Sequence, residues 1–190
     1  MLEEDKIIEI FKTSQALLEG HFLLTSGLHS SRYIQCAQVL QFPEYTAQLC
    51  AVIAGYFKDK GIQTVIGPAM GGIIVSYEVA RQLGVRTIFT ERENGTMVLR
   101  RNFKLSPGEK VLVVEDVITT GGSVKEVLSA VAQAGAQAIG VGVLVDRSGG
   151  KTDFGVPLKA VLDLTVETFQ QSDCPMCKNG TDAIKPGSRK

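Results

Sequence analysis

Two adjacent acids, Glu115 and Asp116, are followed after Val117 and Ile118 by Thr119-Thr120-Gly121-Gly122-Ser123. Carboxylates accept hydrogen bonds from vicinal hydroxyls, and paired glycines let a backbone curl with its amides pointing inward around an anion. Thr119, Thr120 and Ser123 add hydroxyl donors to that curl. A site for a diol beside a site for a phosphate monoester points to ribose 5-phosphate. Such residues need a scaffold that delivers them together. Val111 to Val114 is a short, β-branched-rich run of the kind a buried parallel strand uses, and Val124, Val127, Leu128, Val131 and Ala132 recur at helical spacing. The strand would carry the acids to the carboxyl edge of an open sheet, and the helix would turn its positive end toward the phosphate.

The same strand-loop-helix unit recurs along the chain. Ile7, Ile10, Phe11, Leu17 and Leu18 predict a first helix ending before Gly20, and Thr46, Leu49, Cys50, Ile53, Tyr56 and Phe57 predict another between Pro43 and Gly61. Thr64-Val65-Ile66 reads as a strand, Gly67-Pro68-Ala69-Met70-Gly71-Gly72 as a loop, and Ile73 to Leu83 as a helix closed by Gly84. Arg86 to Thr90 and Ala138 to Val145 supply further strands, the second after a helix that closes at Gly135. Alternating strands and helices predict an α/β fold with a central parallel sheet flanked by helices. Between Glu91 and Gly108 a basic stretch with Arg92, Arg100, Arg101 and Lys104 has no long apolar face, and reads as a β-hairpin or a mobile flap.

At 190 residues and 44% hydrophobic content the chain suits one domain, 1–190, with a sizeable core. Twenty basic and 20 acidic residues cancel, so no global field draws the chain onto nucleic acid or anionic lipid, and an anion site must be local. No apolar run approaches the roughly 20 residues of a membrane span. Met1-Leu2-Glu3-Glu4-Asp5 is too acidic for a secretory or organelle signal, so a cytoplasmic location is expected. Of the four cysteines, Cys174 and Cys177 form a Cys-x-x-Cys in the C-terminal tail. That pair supplies half of a tetrahedral zinc site, the other two ligands having to come from Cys36, Cys50, the two histidines or another subunit. A thioredoxin-like redox pair fits less well, because the motif is not at a strand-to-helix junction.

The run of apolar residues, two acids and Thr-Thr-Gly-Gly-Ser resembles the phosphoribosyl pyrophosphate signature of type I phosphoribosyltransferases. Four further segments bring the resemblance to the orotate phosphoribosyltransferase family, over most of the chain. Gly67-Pro68-Ala69-Met70-Gly71-Gly72 is similar to that family's diphosphate loop, and Phe22 to Tyr33 to its amino-terminal hood, spanning here about 20–36. The family commonly has Lys where Thr25 stands, so the charge is missing at that position. Asp146-Arg147 stands where the family aims an Arg at the orotate carboxylate. The basic stretch, about 91–108, matches the catalytic loop in position, although Glu91-Arg92 and Leu99-Arg100-Arg101 replace its usual Lys- and His-rich pattern. That version, with Cys-Pro-x-Cys-Lys and Lys-Pro-Gly-Ser-Arg in a tail of about 170–190, resembles one bacterial and archaeal branch.

The resemblance implies transfer of a 5-phosphoribosyl group to orotate, giving orotidine 5′-monophosphate and pyrophosphate in pyrimidine (UMP) synthesis. It implies Mg²⁺ held mainly by the substrate, with no metal ligated directly by the chain, and a homodimer. By the same resemblance, Glu115, Asp116 and Arg92 would serve catalysis. Val117 to Ser123, Ala69 to Gly72, Arg92, Arg100 and Arg101 would join the two acids in holding phosphoribosyl pyrophosphate. Thr119, Arg147, Ser26, Gly27 and Tyr33 would hold orotate, and Tyr33 reads equally as a core residue. Two rival readings stand beside this one, a transferase for a purine or uracil and a non-catalytic regulator that binds the donor. A neutral base offers no carboxylate for Arg147, and a regulator would bring a basic DNA-binding extension that this sequence lacks.

Overall fold

The first helix, α1 (Glu4–Thr13), buries Ile7, Ile10 and Phe11, which its 3.6-residue period places on one face. Glu4 and Asp5 in its first turn and Lys12 in its last complement its dipole. The structure, a computed structural model, describes residues 2–24 and 26–186; Thr25 and positions 187–190 of the polar tail lie outside the described residues. Leu17 and Leu18, expected on this helix, instead begin β1 (Leu17–Leu23). The Ser14 hydroxyl donates to the Ile10 carbonyl (2.7 Å) and Gln15 adopts φ 57°, so the helix ends before them. β1 turns back on β2 (His29–Ile34) as an antiparallel pair, across the segment expected at about 20–36 and called the hood below.

After α2 (Ala37–Leu40) and α3 (Pro43–Phe57) the chain enters the main sheet. Its strands are β3 (Thr64–Pro68), β4 (Arg86–Glu93), β5 (Thr96–Leu99), β6 (Lys110–Ile118), β7 (Gln137–Asp146) and β8 (Leu158–Asp163). α4 (Gly71–Leu83) joins β3 to β4, and α5 (Gly122–Gln133) joins β6 to β7. The spatial order is β5-β4-β3-β6-β7-β8, parallel throughout except for β5, which runs antiparallel along β4 at the edge. The sheet is therefore mixed but mostly parallel. A short β9 (Thr168–Phe169) adds a third strand to the hood, and α6 (Pro175–Lys178) follows in the tail.

Alternation along β6 divides the core. Val111 and Val113 pack with Val124, Val127 and Val131 of α5, while Leu112 and Val114 pack on the other face with α1, α3 and α4. Both faces of the sheet are covered, which is why these strands read as continuous apolar runs. On β7, Gly140 and Gly142 leave room for Phe57 and Ile53 of α3, whose atoms occupy the space a Cβ would fill.

The basic stretch resolves into a hairpin. β4 runs on to Glu93, and Asn94 and Gly95, with φ 50° and 85°, make the two-residue turn into β5. Although no long apolar face was expected here, Met97 and Leu105 are buried.

Candidate active site

β6 and the loop after it form one side of the site. Val111 to Val114 bury completely, and the strand emerges at its carboxyl end as Glu115 and Asp116. Gly121, at φ 72°, is the N-cap of α5 and accepts a hydrogen bond from Lys125 N (2.9 Å). A side chain there would strike Thr152 and the Phe154 ring, the latter 2.8 Å away, so a glycine is required both by conformation and by space. Gly122 and Ser123 open the helix, and first-turn N–H groups have no intrahelical acceptor. Around this curl lies a cleft of about 260 Å³, lined by Glu115, Val117 to Val124 and Glu126. Polar walls, free amides and a helix N-terminus suit a phosphate.

The loop after β3 meets the same acids. β3 extends to Pro68 and α4 begins at Gly71, so the expected six-residue loop contracts to Ala69 and Met70, joined by a cis peptide bond. The contraction has a steric cause: a side chain on Gly67 would strike the Gly72 carbonyl. Gly71 lies directly on Asp116, where a Cβ would overlap Oδ2, and a Cβ on Gly72 would fall 3.2 Å from Glu115 Oε1. The two glycine-rich turns thus face each other across the acids. One expected donor is corrected, since Ala69 N donates to Thr90 O (2.9 Å) and its amide is committed to the sheet. Gly71 and Gly72 remain in the first turn of α4.

The acids hold their own geometry. Asp116 N donates to Glu115 Oε1 (3.1 Å), and Val117 N donates to Asp116 Oδ1 (2.8 Å), leaving Asp116 Oδ2 to face outward at Gly71. Burial, and then the Asp116 charge beside it, push the Glu115 carboxyl up to about 9, while burial raises Asp116 as well. Glu115 therefore keeps its proton at neutral pH. In the unfolded chain it ionises near 4.5, so the stability its neutral form contributes is complete below 4.5 and is lost as pH rises through about 9. Glu115→Gln, which keeps the neutral shape and its acceptor oxygen, should flatten that decline. Calorimetry at pH 6 and pH 8.5 should show a smaller drop in Tm for the variant, by about 7–14 °C; parallel slopes would exclude a protonated Glu115.

The remaining residues divide into those the fold brings to the acids and those it does not. Arg147 follows β7 beside the end of β6, its N–H donating to Ile118 O (2.9 Å). Its guanidinium is partly buried and its Nε is a buried donor without a partner among the described residues, and burial lowers its pKa while Cys36 and Tyr33 nearby act the other way. Tyr33 packs on Phe22 of the hood with ring centroids 5.9 Å apart, and Cys36 reaches the Asp116 carbonyl with its thiol (3.6 Å). Ser26 and Gly27 sit exposed in the turn at the hood's tip, Gly27 N donating to Leu24 O (2.9 Å).

The loop arginines are paired within their own neighbourhood. Arg92 contacts Glu126 at 3.0 Å and the Gly95 carbonyl, Arg100 contacts Glu93 at 3.5 Å, and Arg101 contacts Glu91 at 2.9 Å. Only Arg92 is tied to a residue of the phosphate cleft, because Glu126 lines it. Glu126, Thr152 and Phe154 were missed by sequence reading, and Cys36 was weighed there only as a metal ligand; none carries a motif, and their spacing along the chain gives no signal.

A mostly parallel sheet with one glycine-rich loop after β6 and a second after β3, meeting over two acids, defines a type I phosphoribosyltransferase, and the phosphoribosyl transferase domain profile matches residues 37–162. The orotate phosphoribosyltransferase of Desulforamulus reducens is 62% identical over 188 residues, covering 99% of this chain and 98% of its own length. That of Thermotoga maritima is 55% identical over 183 residues, covering 96% and 98%. The chain belongs to the orotate phosphoribosyltransferase family. Among solved structures, the orotate phosphoribosyltransferase of Aeropyrum pernix superposes with a TM-score of 0.70 at 28% identity, over 83% of this chain and 93% of that one. An adenine phosphoribosyltransferase from Rhodothermus marinus, at 20% identity and a TM-score of 0.65 over 83% and 99%, shares the fold.

Proposed function

We infer that this chain moves the 5-phosphoribosyl group from phosphoribosyl pyrophosphate to orotate, producing orotidine 5′-monophosphate and pyrophosphate for UMP synthesis. The observation that carries the acceptor assignment is Arg147. A half-buried guanidinium with an orphaned Nε, beside the strand that ends in the two acids, suits a planar carboxylate that can take two parallel hydrogen bonds.

In this reading the Thr119 to Ser123 curl holds the 5-phosphate, and Asp116 Oδ2 accepts from the ribose hydroxyls while Glu115 braces it. The amides of Met70, Gly71 and Gly72 face the diphosphate. Orotate, fixed by Arg147 and covered by Tyr33, Ser26 and Gly27, attacks the anomeric carbon through a ring nitrogen. The new nitrogen–carbon bond forms as the carbon–oxygen bond to pyrophosphate breaks, that bonding pair leaves with pyrophosphate, and the proton of the attacking nitrogen passes to a pyrophosphate oxygen. Arg92 exchanges Glu126 for the diphosphate when the hairpin closes, and Arg100 and Arg101 follow from Glu93 and Glu91. Preorganised donors around developing negative charge supply the main acceleration, and closure keeps water from the activated sugar. Mg²⁺ would neutralise diphosphate charge when bound. A protonated Glu115 is a poor ligand, which fits an ion held mainly by the donor's own oxygens.

The chain is read as one domain acting as a cytoplasmic homodimer, without nucleic-acid or membrane partners. No described helix is long and apolar enough to cross a membrane. Ile74 and Tyr77, one turn apart on α4, expose large apolar side chains that a second copy would cover. Sedimentation should give twice the chain mass, and a monomer at working concentration would remove the dimer. The activity is tested by ultraviolet loss of orotate with phosphoribosyl pyrophosphate and Mg²⁺, run beside uracil, hypoxanthine and adenine. Orotidine monophosphate as the sole nucleotide is expected; conversion of a purine instead would overturn the acceptor, and donor binding without turnover would favour a regulator.

A further inference from the structure

The transfer proposed above leaves the Cys-x-x-Cys of the tail without a role, yet the fold gives it two companions. β1 and β2 bring His21 and His29 side by side, and the tail lays Cys174 and Cys177 over them. Cys174 Sγ lies 3.5 Å from His21 Nε2, while Cys177 Sγ lies 3.7 Å from the same nitrogen and 3.3 Å from His29 Nδ1. The two ring nitrogens are 2.7 Å apart, and all four potential ligand atoms fall within 4.8 Å of one another. Three of the four residues are buried, Cys174 completely. We propose that His21, His29, Cys174 and Cys177 form a structural zinc site that pins the C-terminal tail to the hood.

Ligand geometry supports the assignment. Zinc bonds of about 2.0–2.1 Å to nitrogen and about 2.3 Å to sulfur give a tetrahedron whose edges are roughly 3.3–3.8 Å. Three nitrogen–sulfur distances, from Cys174 to His21 and from Cys177 to both histidines, already lie in that range; to admit the ion the two nitrogens open by roughly 0.6 Å, and the most widely spaced of the four ligand atoms, within 4.8 Å, close by up to about 1 Å. Two thiolates with two imidazoles select zinc over hard cations such as Mg²⁺. Supporting hydrogen bonds are in place. His21 Nδ1 donates to Thr181 O (2.8 Å), which leaves its Nε2 lone pair for a metal, and Thr181 is itself fixed by donating its hydroxyl to Met176 O (2.8 Å). The Cys174 to Gly180 segment is wound tightly around the sulfurs, with Lys178 N donating to Cys174 O (3.1 Å) and Gly180 N to Cys177 O (2.9 Å).

The fold also explains why a metal is needed. From Thr165 to Pro186 the only buried residue is Cys174. This segment contributes a two-residue strand, a four-residue helix and one bridge from Ile184 to Phe22, and almost no apolar core of its own. Segments with too little core are held by a staple, and a metal is one.

Metal analysis of tag-free protein, purified from cells grown with zinc, should find about one zinc per chain, falling below about a tenth in Cys174→Ser/Cys177→Ser. Zinc retained in full by that variant would overturn the site. Because the variant could fail to fold, wild-type protein stripped of metal under reducing conditions is also titrated with Co²⁺. Strong visible bands of tetrahedral, thiolate-bound cobalt, abolished by one equivalent of zinc, are expected. Their absence in folded protein, or an intact mass showing a Cys174–Cys177 disulfide in protein as purified, would overturn the proposal.

Discussion

Asp116→Asn should lower kcat/KM by about 10²-fold or more while the protein still folds, a loss of roughly 2.7 kcal/mol in transition-state stabilisation. The two oxygens of Asp116 do different work. Oδ1 accepts from Val117 N (2.8 Å), and an Asn carbonyl preserves that bond. Oδ2 faces Gly71 at the meeting of the two glycine turns, and the substitution puts a donor NH₂ where a sugar hydroxyl needs an acceptor. Stability should hold or rise, since burial already disfavours the Asp116 charge that the substitution removes. Steady-state kinetics with varied donor, beside a thermal melt, checks both halves. A folded variant turning over at near wild-type rate would show that the diol is held elsewhere.

That such a prediction could begin from residue order reflects where the site's information lies. The strand, acids, loop and helix from Val111 to Ala132 are contiguous, so period, glycines and hydroxyls act within a few residues of one another and survive as a motif. The hood is different. β1 pairs with β2 locally, but β9 is two residues long and joins from some 140 positions away, and no local pattern encodes that pairing. β8 was missed for a related reason: Leu158 to Asp163 is short and carries Lys159 among its apolar residues, so only the neighbouring β7 makes it a strand. The Asn94-Gly95 turn was legible and went unused, since that dipeptide favours a tight hairpin.

The Ala69 amide illustrates a finer limit. Sequence places a glycine-rich loop at the strand end, but which amides remain free depends on where the ladder stops, and here β4 takes one of them through Thr90. The four residues of the proposed zinc site illustrate the converse. The cysteines announced half a site, and the histidines were named among several possible partners, yet only the antiparallel turn of β1 onto β2 brings them together. Chemistry was legible from residue type; membership in a cluster required the fold.

Arg147→Ala should raise KM for orotate by about 10²-fold, with KM for phosphoribosyl pyrophosphate within about threefold of wild type, because a charged hydrogen-bonded pair is worth roughly 1.5–3 kcal/mol. Folding is expected to survive. Among the described residues the side chain's Nε has no partner to lose, and burial already disfavours its charge, so truncation removes a desolvation cost along with the packing of its stem. The sharper readout is selectivity. Uracil is close to orotate in ring shape but lacks the carboxylate, so the variant should lose most of its preference for orotate over uracil. An Arg that merely props the loop after β7 would lower both substrates together and weaken the donor as much as the acceptor. Equal losses in the two KM values would therefore remove Arg147 from the acceptor site and, with it, the observation that distinguishes orotate from a neutral base.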